Sequence, residues 1–204
     1  MALSDMRSRI ADDINTTDYN SQIVTAINRA IKHYSGEGFW FTETEDTFPT
    51  IINQQAYGAA DSIPTDLGEI VYVEYSDSSS DYELAPRTKA WLERHYPDPT
   101  TGRPCYYVYW GNEFHLYPTP NEVNTVRVFY RKTYADLSAD GDTNDWLEYA
   151  EDLIEARARK WINARLLMDY DAARVAGIEE DEALTALRRQ HSDKKPVEIT
   201  PSRY

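Results

Sequence analysis

Leu3, Met6, Ile10 and Ile14 recur at spacings of three and four, which places them on one face of a helix. Ser4 is the expected N-cap, and Asp5 falls in the first turn, where a carboxylate suits the helix dipole. Asn15-Thr16-Thr17-Asp18 breaks the pattern with side chains that favour caps and turns. A second stripe follows, Ile23, Ile27, Ile31 and Tyr34, with Ala26 and Ala30 beside it. Gly36 and Gly38 are expected to stop that helix. Residues 1–36 therefore read as a helical hairpin with one apolar face per helix.

After Phe39-Trp40-Phe41, an aromatic cluster, the period changes to two. Ile70 to Tyr75 predicts a strand, Ser76 to Asp81 a polar hairpin loop, and Tyr82-Glu83-Leu84 the return. Thr88 to Tyr96 predicts a short helix capped by Thr88. Cys105–Trp110 and Glu113–Tyr117 predict a hairpin turned at Gly111-Asn112. Thr125 to Tyr134 alternates, with Val126, Val128 and Tyr130 on one face and Arg127, Phe129 and Arg131 on the other. An acidic loop over 136–145 leads into one long predicted helix from about Asn144 to Asp169. A last helix is predicted from about Glu179 to His191, and Asp193 to Tyr204 is read as an extended tail.

Helices, then strands, then helices predict an α+β fold. Terminal helices, 1–36 and 135–192, would form a bundle. A mostly antiparallel β module, 37–134, would be inserted between them, with 193–204 as an extended C-terminal arm.

Charge adds what periodicity does not show. The 204 residues carry a formal net charge of -14. Residues 37–86 hold 11 acidic side chains and no Lys or Arg, a gap that local salt bridges do not explain. One reading is a solvated acidic face that keeps the protein soluble. The other is a surface that faces a polyanion without holding it, or that meets a basic partner. Such acidity argues against a general nucleic-acid or anionic-membrane binder, because phosphate contacts need Lys and Arg. No apolar run approaches a membrane span, and the first residues lack the apolar core of a secretory signal.

The residues do not assemble a catalytic centre or a cofactor site. There is no phosphate-binding glycine loop and no nucleophile elbow. His33, His95, His115 and His191 have no metal-ligand spacing, and Cys105 reads as a small buried hydrophobe. Asp140, Asp142, Asn144 and Glu151 have calcium-loop spacing, but Asp145 stands where the sharp turn needs glycine. Asn144 as a helix cap accounts for the same residues. Glu37, Glu43 and Glu45 near the aromatic cluster are candidates for a carboxylate pair. The five tryptophans read as core and interface anchors.

The order of these pieces resembles the tailed-phage head-to-tail connector, or adaptor, proteins, which include the tail accessory factors of short-tailed phages. The matching pieces are the opening helix with Ile10 and Ile14, the run Gln22 to Tyr34, Phe39-Trp40-Phe41 and Gln55-Ala56-Tyr57. Ile63-Pro64-Thr65-Asp66, Gly102 to Tyr107, Leu116 to Pro120 and Asn144-Asp145-Trp146-Leu147 complete the set, which spans residues 3 to 190. The resemblance implies a structural, non-enzymatic virion protein, assembled in the host cytoplasm. Such proteins form a ring, commonly a dodecamer, under the portal. They join it to tail or nozzle proteins and extend the channel through which DNA passes without specific binding. The alternatives are a peptidoglycan-degrading virion enzyme and a soluble acidic adaptor unrelated to virions. On the connector reading, Trp146, Trp161 and the tail residues Lys194, Lys195, Val197, Ile199 and Tyr204 are candidates for oligomer or portal contacts. Glu43, Glu45 and Asp46 are candidates for a channel-facing acidic surface.

Overall fold

A computed structural model describes residues 1–16, 18–97 and 100–194. Its helices are α1 (Leu3–Asp13), α2 (Asn20–Tyr34), α3 (Lys89–His95), α4 (Asp145–Tyr149), α5 (Glu151–Ile162) and α6 (Tyr170–Lys194). The strands are β1 (Glu43–Pro49), β2 (Ala56–Tyr57), β3 (Leu67–Ser76), β4 (Asp81–Glu83) and β5 (Ala85–Pro86). They continue with β6 (Thr101–Gly102), β7 (Tyr106–Trp110), β8 (Glu113–Tyr117), β9 (Thr119–Pro120) and β10 (Thr125–Lys132). The fold is α+β. The chain divides into two units, Met1–Thr42 with Tyr134–Tyr204, and Glu43–Thr133.

In the helical unit, α5 packs against α1, α2 and α6. It buries Leu153, Ile154, Ala158 and Ile162 with Ile23, Ile27 and Ile31 of α2 and Leu3, Met6 and Ile10 of α1. The aromatic cluster belongs to this core: Phe39, Phe41 and Trp146 pack together in it. Burial of so many large side chains is the main force holding the helices.

Three local details depart from the sequence expectations. α1 is capped by extended Ala2, not Ser4. The N–H groups of Leu3 and Ser4 instead donate to the carbonyls of Asp142 and Asp140 in the acidic loop. The expected helix 144–169 is broken at Ala150, where φ is -135°, and ends in a π-helical turn over Asn163–Leu167. Met168 then adopts a left-handed φ of 56°. Neither break falls on Gly or Pro, and the apolar stripe runs through both, so periodicity does not mark them. The last helix starts at Tyr170, nine residues before the expected start, because the inward face of its first turns uses only Ala173 and Ala176. Asp193 and Lys194 lie in α6 and not in a tail.

The β unit contains two four-stranded sheets, in the orders β1-β10-β3-β4 and β2-β8-β7-β5, and the short pair β6-β9. Pairing is antiparallel except for β5 with β7 and β6 with β9. Phe48, Val73, Tyr75, Val126 and Val128 of the first sheet share a core with Tyr57, Tyr107, Phe114 and Leu116 of the second. Gly111 and Asn112, with φ of 64° and 63°, make the expected tight turn between β7 and β8. Gly68 is required by close packing: a Cβ there would lie 2.6 Å from the Arg131 carbonyl oxygen on β10.

Candidate interaction surfaces

The outward face of the first sheet is built by strand alternation. Glu43, Glu45 and Thr47 of β1 stand opposite Arg131, Phe129 and Arg127 of β10. On the other side of β10, those three pair with Glu69, Tyr72 and Glu74 of β3. Arg131 contacts both Glu43, at 3.6 Å, and Glu69, and Arg127 lies 3.5 Å from Glu74. Between these rows Tyr72 and Phe129 stack with centroids 4.1 Å apart. With Glu83 opposite Glu74 and Asp81 opposite Ser76, the face sets six carboxylates against two guanidinium groups. Each arginine is held by carboxylates, so the face offers phosphate little cationic grip.

Glu43 and Glu45 therefore share a surface, but Asp46 does not. Asp46 pairs with Val128, whose side chain enters the core, so it belongs to the opposite face of β1. A strand of period two cannot present all three on one side.

The acidic run 37–86 is more paired than its sequence suggests. Its cations come from far along the chain: Glu37 from Arg188 at 2.8 Å, and the sheet carboxylates from β10. Asp66 accepts a hydrogen bond from the Tyr130 hydroxyl at 2.9 Å. Burial and that bond push the Tyr130 pKa up. Asp61 and Asp77 accept backbone N–H groups at turns. The carboxylates Glu37 and Glu43, candidates for acid–base chemistry, are each tied in ion pairs.

Trp146 and Trp161 separate into different roles. Trp146 has no exposed surface and is ringed by Tyr34, Phe39, Phe41 and Tyr134. It is a core residue and has nothing to offer a partner directly. Trp161 is half-buried, with the Arg29 guanidinium 5.2 Å above its ring. It lines a groove between α2 and α5 that also carries Lys32, His33 and Arg157. Sequence reading missed this cluster because its members come from two helices more than a hundred residues apart. At the end of α6, Lys194 lies over the Trp40 ring at 4.1 Å, and His191 Nδ1 accepts the Trp40 backbone N–H at 3.1 Å. Lys195, Val197, Ile199 and Tyr204 lie outside the described residues.

The calcium-like spacing serves other bonds. Asp140 pairs with Arg7 at 2.7 Å, and Asp142 accepts the N–H groups of Ser138 and Ala139. Asn144 caps α4 through Leu147 N–H, and Glu151 lies 3.8 Å from Arg9. Among the described residues no cluster of three or more His, Cys, Asp or Glu side chains is arranged to hold a metal. Cys105, expected inside, is exposed, just before β7.

Two buried glutamates sit among cations on the helices, with opposite outcomes. Glu180 accepts bonds from Tyr34 at 2.5 Å, Arg157 at 2.8 Å and Lys160 at 2.7 Å. Burial raises its pKa, but these three donors outweigh it and leave the carboxyl below its usual range. Glu155 lies 2.7 Å from Arg9 and 3.8 Å from Arg159. There burial wins over the two arginines and the pKa is raised.

The family model described as "SU10 adaptor protein" matches residues 1–200. No curated protein matches the chain.

Proposed function

The chain belongs to the SU10 adaptor protein family, a bacteriophage adaptor family, and from that premise we propose that it forms a ring, a dodecamer, between the portal and the tail. The family match over nearly the whole chain carries this reading. The structure agrees in kind, since its surfaces are ion-paired and aromatic, as suits an assembly part. The same membership supports a structural, non-enzymatic role.

The outward face of the β1-β10-β3-β4 sheet is the part of the proposed ring that approaches the channel. Its arginines are already bound by carboxylates, and passing DNA meets Glu43 and Glu45 without a cation to arrest it. Residues 195–204 form the arm that reaches the portal: Val197 and Ile199 alternate with polar residues and suit addition to a sheet edge or a groove. The test is to mix the purified protein with the portal of its own phage and measure the mass and rotational symmetry of the product. A ring on the portal is expected. A protein that leaves the portal bare at saturating concentration would overturn the reading.

A further inference from the structure

In a chain with a net charge of -14, the groove between α2 and α5 is a cationic exception. Ala26 and Ala30 form its floor, and Arg29, Lys32, His33 and Trp161 line its sides, enclosing about 510 Å³. No carboxylate is among its lining residues. Lys32 and Arg157 have acidic partners at its border, Asp136 and Glu180. Arg29 has no carboxylate partner among the described residues and rests on the Trp161 ring. An exposed guanidinium over a partly buried indole presents a carboxylate site beside an apolar one.

The outer face of α6 has the matching character. Its inner stripe is Ala173, Ala176, Glu180 and Leu187. On the other side Val175 and Ile178 are about half exposed, at 51% and 52%. Ile178 continues into a shallow depression with Asp181, Glu182 and Thr185, and Arg189 closes it at the C-terminal end. An isolated helix face of this kind, apolar at one end and acidic in the middle, is complementary to the groove. Both surfaces are on the same unit, on different helices packed around α5.

We propose that these two surfaces meet between neighbouring copies of this chain. Asp181 and Glu182 of α6 reach Arg29 and Lys32 of the next copy, and Ile178 covers Trp161. The inference rests on the ring reading and names the joint. A surface that binds a different surface of an identical neighbour generates a ring when the rotation closes. Copies that each carry excess negative charge repel, so the contact must bring cations to acids locally. This groove and this helix face do so.

The test uses charge reversal in trans. Arg29→Glu with Lys32→Glu reverses the groove, and Asp181→Lys with Glu182→Lys reverses the helix face. Each variant, alone with the portal, should assemble at least about 10-fold more weakly than the unaltered protein, because like charges then face each other. Mixed one to one, they should assemble again as an alternating ring, because every joint then pairs opposite signs. Circular dichroism and melting of each variant separate a lost joint from a lost fold. If a variant fails to fold, a Lys32→Cys, Thr185→Cys protein in a Cys105→Ser background gives the second readout. Its copies should link by disulfides into a closed series on the portal. Undiminished assembly of the single reversals, no recovery on mixing, or no cross-linking would overturn the joint while leaving the ring reading intact. A portal left bare by the unaltered protein would overturn both.

Discussion

Trp146 and Trp161 differ in what surrounds them, and a substitution should read out that difference. Trp146→Ala opens a cavity among four aromatic rings and should cost about 3–5 kcal/mol in urea unfolding. Trp161→Ala removes a partly buried ring at the edge of the core and one cation contact, so its stability loss should be smaller than that. Glu180 makes a second residue-scale prediction. Its folded pKa lies below the usual 4.5, so its stabilisation is full above that value and is lost as pH falls through the lower folded pKa. Glu180→Gln should therefore lower stability near neutral pH by about 1.5–3 kcal/mol, the worth of hydrogen bonds to a charged group, and the gap to the unaltered protein should narrow as pH falls below the usual 4.5. Glu155 has the opposite sign: its raised pKa means that acidification from neutral favours its folded form. Denaturant melts over a pH series measure both.

At the scale of elements, the break between α5 and α6 turns on Met168. A methionine with φ of 56° carries the left-handed strain of a side chain, and it is 61% exposed. Met168→Gly should raise stability by up to about 1 kcal/mol, measured as a higher Tm, because the strain relieved exceeds the entropy glycine adds. A lower Tm would show that the Met168 side chain contributes packing that outweighs its backbone. In β1 the alternation of faces makes a sharper test. Lys at Glu43 and Glu45 should place cations on the proposed channel surface and slow DNA ejection. Lys at Asp46, on the other face, should leave ejection kinetics near those of unaltered particles. Equal effects at all three positions would deny the sheet face its role.

For the whole molecule, the fold and its proposed joints are carried by different parts of the chain. Among the described residues the helical core is closed by residues up to Leu187, so removing residues 195–204 should leave the Tm of the free protein nearly unchanged. The same truncation should abolish stable portal binding if the arm makes that joint. Docking with unaltered affinity would mean that the helices alone hold the portal. The cut belongs after Lys194, because Asp193 and Lys194 are helical and Lys194 covers Trp40.

What was legible in the sequence was whatever depends on neighbours along the chain. The α1 and α2 stripes, the Gly111-Asn112 turn, the Thr88 cap and the alternation of β10 all follow from local periods and backbone preferences. The α+β class follows from their order. Helix breaks without Gly or Pro, at Ala150 and Met168, left no local mark, and a helix whose inner face begins with alanines hid its first turns. The largest difference lies in charge. The run 37–86 looks unbalanced because its arginines stand at 127, 131 and 188, and only the pairing of β10 with β1 and β3, and of α6 with the segment after α2, brings them in. In the same way, Arg29 and Trp161 become one groove only when α2 lies against α5. Local order is set by residues a few positions apart; Coulomb attraction and burial act through space, and tertiary structure decides which distant residues they join.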